Sequence, residues 1–512
     1  MNPRVDDSSR PSRREISLLA FVVALIVVPA LAAIIAVAPT ELPIDPPGLS
    51  LITGTIGWSL AVAVLATTIG IFVAPALATG SRLTIAIGAW PLLVPGYFAY
   101  SGLSVLRAPG SMLGDYLASR SAAGDPAAAT AAAGLFALAG LALWIWPLPA
   151  FLIAFAIRSA GSNVREALLL DAGPFARRIE MVKMLAPAML GSLAVVTIVM
   201  IGSPVPFHLA QVRTLSIAAW LEIQRSASPL SAWVMMSPLL VPVMIGSIIL
   251  ANKIRALTFI ASEAPAVRER SDLGQRITVF FIAILSCVFP SALFMRSVRD
   301  PSAFIEFFSL NLDALITGLQ TAICCALIGS LLFMWFAICA GRRSKIVTTA
   351  LAILVGAGLT PGILIGSVWS VVGLHLPAWF ADSIAPVVLS HLARFGMIAA
   401  IAGCFAGALE SRESREQRAI DGADTIMGYC RARYRDDVPL ALGAALLMGV
   451  FSLYEIESAV LVQPPGLSGL SSRMLNDLHQ LRMDSVSAAS LWLWLLGAIP
   501  ALLAMRLLQR RS

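Results

Sequence analysis

Long apolar runs separated by short polar stretches dominate this sequence of 512 residues. The first run, Ser17–Ala38, has no charged residue and is long enough to cross a bilayer, which takes about 20 helical residues. It is too long, and too poor in a cleavage site, for a removed signal peptide. Eleven further runs predict spans over 52–79, 83–105, 131–157, 188–206, 232–251, 277–296, 313–340, 346–372, 384–408, 440–462 and 487–508. The pattern therefore predicts an all-α membrane protein with twelve transmembrane helices.

The positions of lysine and arginine predict how this protein lies in the membrane. With a cytoplasmic N-terminus, 27 of the 36 fall in cytoplasmic segments and eight in external ones, while Arg394 lies within a span. Cytoplasmic loops of membrane proteins are enriched in these residues, so both termini are expected in the cytoplasm. Only 13% of all residues are charged, about half the share of a soluble protein. The net charge of +7 thus indicates contact with a lipid bilayer and excludes a nucleic-acid binder.

Six spans, a polar linker and six more spans predict two parallel six-helix repeats, since an even number preserves orientation. The boundaries are a cytoplasmic tail over 1–16, halves over 17–251 and 277–512, and a cytoplasmic linker over 252–276. Glu166–Gly173 and Glu416–Ala423 align at an offset of 250, and each lies between the fourth and fifth spans of its half. Their segments are rich in helix-forming residues, which predicts short helices suited to docking a cytoplasmic partner.

These two segments resemble the E-A-A-x-x-x-G loop of type I ABC importer permeases, in which a coupling helix docks into the ATP-binding subunit. The resemblance assigns ATPase coupling to Glu166, Ala167, Asp171, Gly173 and Pro187, and to Glu416, Asp421, Gly422 and Pro439. The first copy has Asp-Ala-Gly where the family usually has Asp-Gly-Ala. The second lacks the alanine pair, and both are longer before the final proline than the family pattern.

A second resemblance narrows the group to fused permeases of the ferric-iron type. It is carried by four stretches, Pro95–Ala99, Ser452–Ala459, Gln463–Gly466 and Leu478-His479, with Val486–Leu491 as the small-residue run into the last span. Thiamine, phosphonate and polyamine permeases share much of this pattern. The resemblance implies a bacterial inner-membrane permease for ferric iron or a similar solute, working with two ABC ATPase subunits and an extracytoplasmic binding protein.

The chemistry of the chain is consistent with a transport subunit that is not itself an enzyme. It contains no G-x-x-x-x-G-K-[ST] phosphate loop, so ATP and Mg²⁺ are expected on the partner ATPase and no cofactor on this chain. Neither a nucleophile–base pair nor a metal set occurs within a span. No His/Cys/carboxylate cluster has the spacing of a metal site.

Three ionisable residues lie within predicted spans, Arg394 in the tenth and Glu455 and Glu457 in the eleventh. A charge at the bilayer centre costs about 2.5–3.5 kcal/mol, so charged partners are expected. The helical rise places the three at similar depths, and we predict that Arg394 pairs with Glu455 or Glu457 beside the translocation path. The alternative is a purely structural ion pair, or charged side chains that reach the outer rim of the membrane by snorkelling. In the first half Ser203 matches Glu455, so the halves differ at this gate.

A proton-coupled secondary transporter of the twelve-helix facilitator type is the alternative function, with Glu455 or Glu457 as the proton carrier. That class usually has its longest cytoplasmic loop at the centre and a charged motif in the turn between spans two and three. Here that turn is only Gly80–Arg82, and the segments at 158–187 and 410–439 are as long as the centre. Both features favour the ABC permease.

Overall fold

The computed structural model describes residues 12–37, 47–125, 127–159, 174–226, 229–261, 273–340, 344–410, 412–420, 426–464, 466–467, 469–480 and 482–509, which form helices and turns without a β-strand. The first half contains α1 (Arg13–Val37), α2 (Leu49–Thr79), α3 (Arg82–Leu93), α4 (Phe98–Arg107), α5 (Met112–Ala122), α6 (Ala127–Ile145), α7 (Pro147–Ser159), α8 (Pro174–Ile201), α9 (Pro204–Leu209), α10 (Leu215–Ser226) and α11 (Pro229–Ala261). The second half contains α12 (Leu273–Ser297), α13 (Ser302–Ala340), α14 (Lys345–Leu359), α15 (Gly362–Gly373), α16 (Ala378–Ala381), α17 (Ala385–Leu409), α18 (Arg412–Ile420), α19 (Ile426–Tyr454), α20 (Ala459–Val462), α21 (Leu470–His479) and α22 (Met483–Gln509).

The chain is a multi-pass membrane protein, as the apolar runs predict. Within the described ranges, nine helices are long and apolar enough to cross a bilayer, and eleven if each of two bent pairs counts as one span. The nine are α1, α2, α6, α8, α11, α12, α13, α17 and α19. Their outer faces expose large apolar side chains such as Phe72, Ile248 and Leu327, as expected for a surface in contact with lipid. The last helix of the first half runs to Ala261, so the start of the predicted linker is helical.

Two predicted spans are pairs of helices with a sharp bend between them. The axes of α3 and α4 differ by 70°, and those of α14 and α15 by 102°. Each break contains a Pro-Gly pair, Pro95-Gly96 in the first half and Pro361-Gly362 in the second. Proline has no backbone N–H to donate, and glycine allows close approach of other groups. The runs at 83–105 and 346–372, each predicted as one continuous span, are therefore interrupted.

The order of helices in the first half recurs in the second. The first helix of each half, α1 and α12, contains a π-helical turn, at Val23–Val27 and at Ile284–Val288. A long second helix follows in both halves, and then the helix pair that is broken at Pro-Gly. The matching turns and breaks indicate that the two halves share one architecture despite their different sequences.

Helices cross reciprocally between the two halves. The first helix α1 packs on α14 and α15 of the second half, whereas α12 packs on α3 and α4 of the first. The last helices do the same, since α11 contacts α14 and α22 contacts α3. One buried core accordingly joins Leu18 of α1 to Phe333 of α13 and Leu354 of α14. Each broken pair is thus held by helices of the other half.

Arginine side chains cap the carboxyl ends of the two long second helices. Arg158 donates from Nε to the carbonyl of Ala78 at 2.7 Å, at the end of α2. Arg255 donates from Nη1 to the carbonyl of Ala340 at 3.0 Å, at the end of α13. The last carbonyls of a helix lack helical partners and carry partial negative charge, so a cation there is stabilising.

Candidate functional site

A buried ion cluster joins α17 to the turn that follows α19. Arg394 lies within α17, and its guanidinium contacts the carboxylates of both Glu455 and Glu457. The Nη1 atom lies 2.7 Å from Oε2 of Glu457, and the three side chains are only 15%, 6% and 8% exposed. The ion pair predicted from the sequence is therefore present, and it involves both carboxylates instead of one.

The turn after α19 brings the two carboxylates to one guanidinium. The helix ends at Tyr454, so Glu455 and Glu457 do not lie in the continuous helix predicted over 440–462. In an α-helix, residues two apart lie about 200° apart around the axis and so on nearly opposite faces. A continuous helix could therefore present only one of the two carboxylates to Arg394. The carboxylate of Glu455 also accepts hydrogen bonds from the backbone N–H of Ser458 at 2.9 Å and from its hydroxyl at 3.1 Å. These bonds hold the turn in place of helical ones.

Two glycines of α15 let this helix approach the cluster. Gly362 follows the Pro361 break directly, and a Cβ atom there would overlap the guanidinium of Arg394 and lie 2.8 Å from Oε1 of Glu455. One turn later, a Cβ atom on Gly366 would lie 2.8 Å from the backbone of Ser458. The break, the arginine and the turn after α19 consequently form one packed unit.

The matching place in the first half holds an aromatic side chain. At the offset of 250 residues, Trp144 corresponds to Arg394, and its Nε1 donates to the carbonyl of Val94 at 3.1 Å. A Cβ atom on Gly96 would lie 3.3 Å from the same indole. No sequence motif marks Trp144, and its alignment with Arg394 was the available signal. The two Pro-Gly breaks are thus supported by different chemistry.

Ser203, which the alignment matched to Glu455, lies in the turn between α8 and α9 and is half-buried. The structure does not place it in the ion cluster. Its neighbour Gly202 faces Pro361 of the other half, with 3.4 Å between the Cα of Pro361 and a Cβ built on this glycine. This turn therefore lies against the second break, and Ser203 borders the contact between the halves.

A buried histidine extends the polar cluster by one turn of α17. His391 is 2% exposed, and its Nδ1 lies 2.8 Å from the hydroxyl of Ser452 on α19. Together with Glu455, these two residues line a cavity of about 30 Å³, which is large enough for one or two water molecules. A lone histidine carries no sequence pattern; its spacing of three residues before Arg394 was the one available signal.

The predicted coupling segments are described only in part. Glu166, Ala167, Asp171, Gly173, Asp421 and Gly422 lie outside the described residues. Pro187 and Pro439 lie inside α8 and α19, which both continue through them. The predicted short helix of the second segment is confirmed as α18, on which Glu416 is exposed. This helix lies between two spanning helices, at the end of the bundle where α17 ends.

A crevice of about 1420 Å³, lined by apolar as well as charged side chains, lies at the opposite end, beside the start of α13. Its charged lining residues are Arg296, Arg299, Glu306, Arg473, Asp477, Arg482 and Asp484. Near its rim, a hydrogen bond from the backbone N–H of Ser302 lowers the pKa of the exposed Asp300. The crevice and α18 thus lie at opposite faces of the bundle.

Compared with known proteins, the chain matches no protein-family model, no curated protein and no solved structure. Its function is therefore inferred from its own residues and their arrangement.

Proposed function

We propose that the chain is the membrane-spanning permease subunit of an ATP-driven importer of the type I ABC class. Its two parallel six-helix halves are fused in one polypeptide with twelve spans, and both termini lie in the cytoplasm of a bacterial cell. The proposal rests on the position and exposure of helix α18. It is a short helix between two spanning helices, its outward residues Glu413, Glu416 and Gln417 are exposed, and it contains Glu416–Ile420, the described part of the second copy of the repeated motif.

The proposal requires partners on both faces of the membrane. Two copies of a cytoplasmic ATPase dock on the two motif segments and bring the ATP and Mg²⁺ that this chain has no loop to bind. An extracytoplasmic binding protein delivers the solute to the opposite face, where the crevice with charged lining residues lies. The solute is ferric iron or another small solute such as thiamine, a phosphonate or a polyamine.

Transport in this scheme follows from moving one half against the other. Closure of the two ATPase subunits displaces both coupling segments, and the halves rock so that the path opens alternately to either side. Arg394, Glu455 and Glu457 form the gate on one side of the path, and Ser203, which the sequence repeat matches to Glu455, is the gate residue of the other half. The reciprocal crossing of helices supports this scheme, because a shift of α1 or α12 moves the broken pair of the opposite half.

One observation favours a proton-coupled secondary transporter as the second candidate. Two buried carboxylates share a single guanidinium, and the second carboxylate could carry a proton across the membrane. The exposed helix α18 has no evident role in such a transporter.

Purification from membranes followed by reconstitution into vesicles distinguishes the two candidates. An ATPase subunit is expected to co-purify. Uptake of iron delivered by its binding protein, or of thiamine in its place, is expected to require ATP on the side of the vesicle membrane where the ATPase is bound. Uptake that follows a proton gradient without nucleotide would establish the alternative and refute the permease proposal.

A further inference from the structure

A buried ion pair attaches α18 to the end of α17. The guanidinium of Arg418 donates from Nε to Oε1 of Glu410 at 2.9 Å and from Nη2 to Oε2 at 3.2 Å. Both side chains are almost fully buried. The two parallel hydrogen bonds fix the orientation of the guanidinium plane as well as its distance, which a single point charge would not do.

The same guanidinium also contacts the start of α19. It lies over the ring of Tyr429, 4.9 Å from the centroid, and Tyr429 is fully buried. The hydroxyl of Tyr429 donates to Oδ2 of Asp437 at 2.6 Å, and Arg433 contacts Oδ1 of Asp437 at 3.2 Å. Burial and the nearby Asp437 carboxylate raise the pKa of Tyr429, so its hydroxyl remains a donor. Arg418 therefore bridges the ends of two spanning helices.

Arg418 gives α18 a buried attachment to the bundle. Among the side chains of α18 that the structure describes, Arg418 alone is buried. Ile420 is 85% exposed, and Glu413 and Gln417 also face outwards. Arg418 therefore provides a direct route by which a force on the outer face of α18 is passed inwards to α17 and α19.

The two helices that Arg418 bridges also carry the ion cluster. Along α17, Arg394 lies about 24 Å from Glu410 at about 1.5 Å per residue. Along α19, about 38 Å separates Tyr429 from Tyr454, which is followed directly by Glu455. The two helices pack against each other and on α13. A shift of α17 and α19 at the Arg418 end is therefore transmitted to the end that carries the ion cluster.

We propose that Arg418 is the positioning residue through which movement of α18 reaches α17 and α19 together, and through them the Arg394 cluster. This inference rests on the proposed function, since it assumes that an ATPase moves α18. An apolar contact could stabilise α18 as well as a buried ion pair does. The bidentate pair and the stacked ring instead hold α18 in one orientation relative to both helices, which is what transmitting a displacement requires.

The test measures ATP-driven movement at the far face of the protein and needs no identified solute. Spin labels at Met112 and Leu374, which are 94% and 82% exposed and belong to different halves, report their separation in the complex purified with its ATPase. We expect ATP with vanadate to shift this separation in the wild type. Arg418→Met is expected to abolish the shift while ATP hydrolysis continues, because the ATPase still turns over but α18 no longer moves both helices.

Three further variants separate this role from simple stabilisation. Arg418→Lys keeps the charge but not the bidentate geometry, and it is expected to recover only part of the shift. The exchanged pair Glu410→Arg with Arg418→Glu is expected to recover more than either single replacement, and it decides the matter if Arg418→Met fails to assemble. Arg13→Met, at an exposed position at the start of α1, is the matched control and should behave as the wild type.

The outcomes distinguish the two proposals. A normal ATP-driven shift in Arg418→Met refutes the role of Arg418 and leaves the permease proposal standing. An exchanged pair that is no better than its single replacements also refutes it. If no ATPase co-purifies, or if ATP leaves the wild-type separation unchanged, the proposed function fails and this inference fails with it.

Discussion

Replacing Arg394 by methionine tests the ion cluster most directly. The substitution removes the guanidinium from between Glu455 and Glu457, whose side chains are only 6% and 8% exposed. Removing one partner of a buried ion pair typically costs about 3–5 kcal/mol, because the other charge stays buried without compensation. Two carboxylates lose their partner here, so we expect a loss in the free energy of unfolding of about that size.

The two carboxylates should differ when each is replaced by glutamine. Besides contacting Arg394, Glu455 accepts two hydrogen bonds, from the N–H and the hydroxyl of Ser458, whereas Glu457 accepts one, from the backbone N–H of Gly362. A bond to a charged acceptor contributes about 1.5–3 kcal/mol, and one between neutral groups about 0.5–1.5 kcal/mol. Glu455→Gln is therefore expected to cost about 1 kcal/mol more than Glu457→Gln.

Unfolding in mixed detergent and SDS micelles measures these differences, with Arg120→Met on an exposed surface as the control. The exchanged variant Arg394→Glu with Glu455→Arg retains one guanidinium and two carboxylates, and should regain part of the lost stability. The explanation is wrong if Arg394→Met loses less than about 1 kcal/mol, or if the exchanged variant is no more stable than either single replacement.

Three further predictions concern the surroundings of this cluster. Gly362→Ala places a Cβ atom on the guanidinium of Arg394 and should cost about 1–3 kcal/mol, whereas Gly96→Ala meets an indole at 3.3 Å and should cost less in the same unfolding assay. Arg255→Met removes the cap of α13 and should lower stability by about 1–2 kcal/mol; an unchanged unfolding midpoint would contradict the capping role. Because burial raises the pKa of Tyr429, its contribution is complete below pH 10.0 and declines as the pH rises further, so Tyr429→Phe should flatten the alkaline loss of stability.

The apolar runs predicted most of the fold because spanning helices need little more than length and hydrophobicity. They could not predict the breaks at Pro95 and Pro361, since proline also occurs inside continuous helices of this chain, as at Pro187 and Pro439. What distinguishes the breaks is the tertiary contact that fills them. The indole of Trp144 fills one, and no local pattern announces such a contact.

The ion cluster was predictable because buried charges must be paired, and the sequence offered few candidates. The geometry of the cluster was not predictable from the sequence. Two acids two residues apart cannot serve one arginine from a helix, and the end of α19 at Tyr454 resolves this conflict. The buried pair between Arg418 and Glu410 was missed for the opposite reason. In a segment rich in charged residues, the sequence does not indicate which arginine is buried.

The asymmetry between the two breaks limits how the halves can move. Both breaks contain a proline, and both are crossed by a helix from the other half, so their backbones can move in similar ways. The second break is held by the charges around Arg394, and separating them in a low-dielectric interior is costly unless water or a charged solute replaces one partner. The first is held by the hydrogen bond and ring of Trp144, which cost far less to separate. A cycle that opens both breaks should therefore open the first break more readily, and the ion cluster sets the barrier.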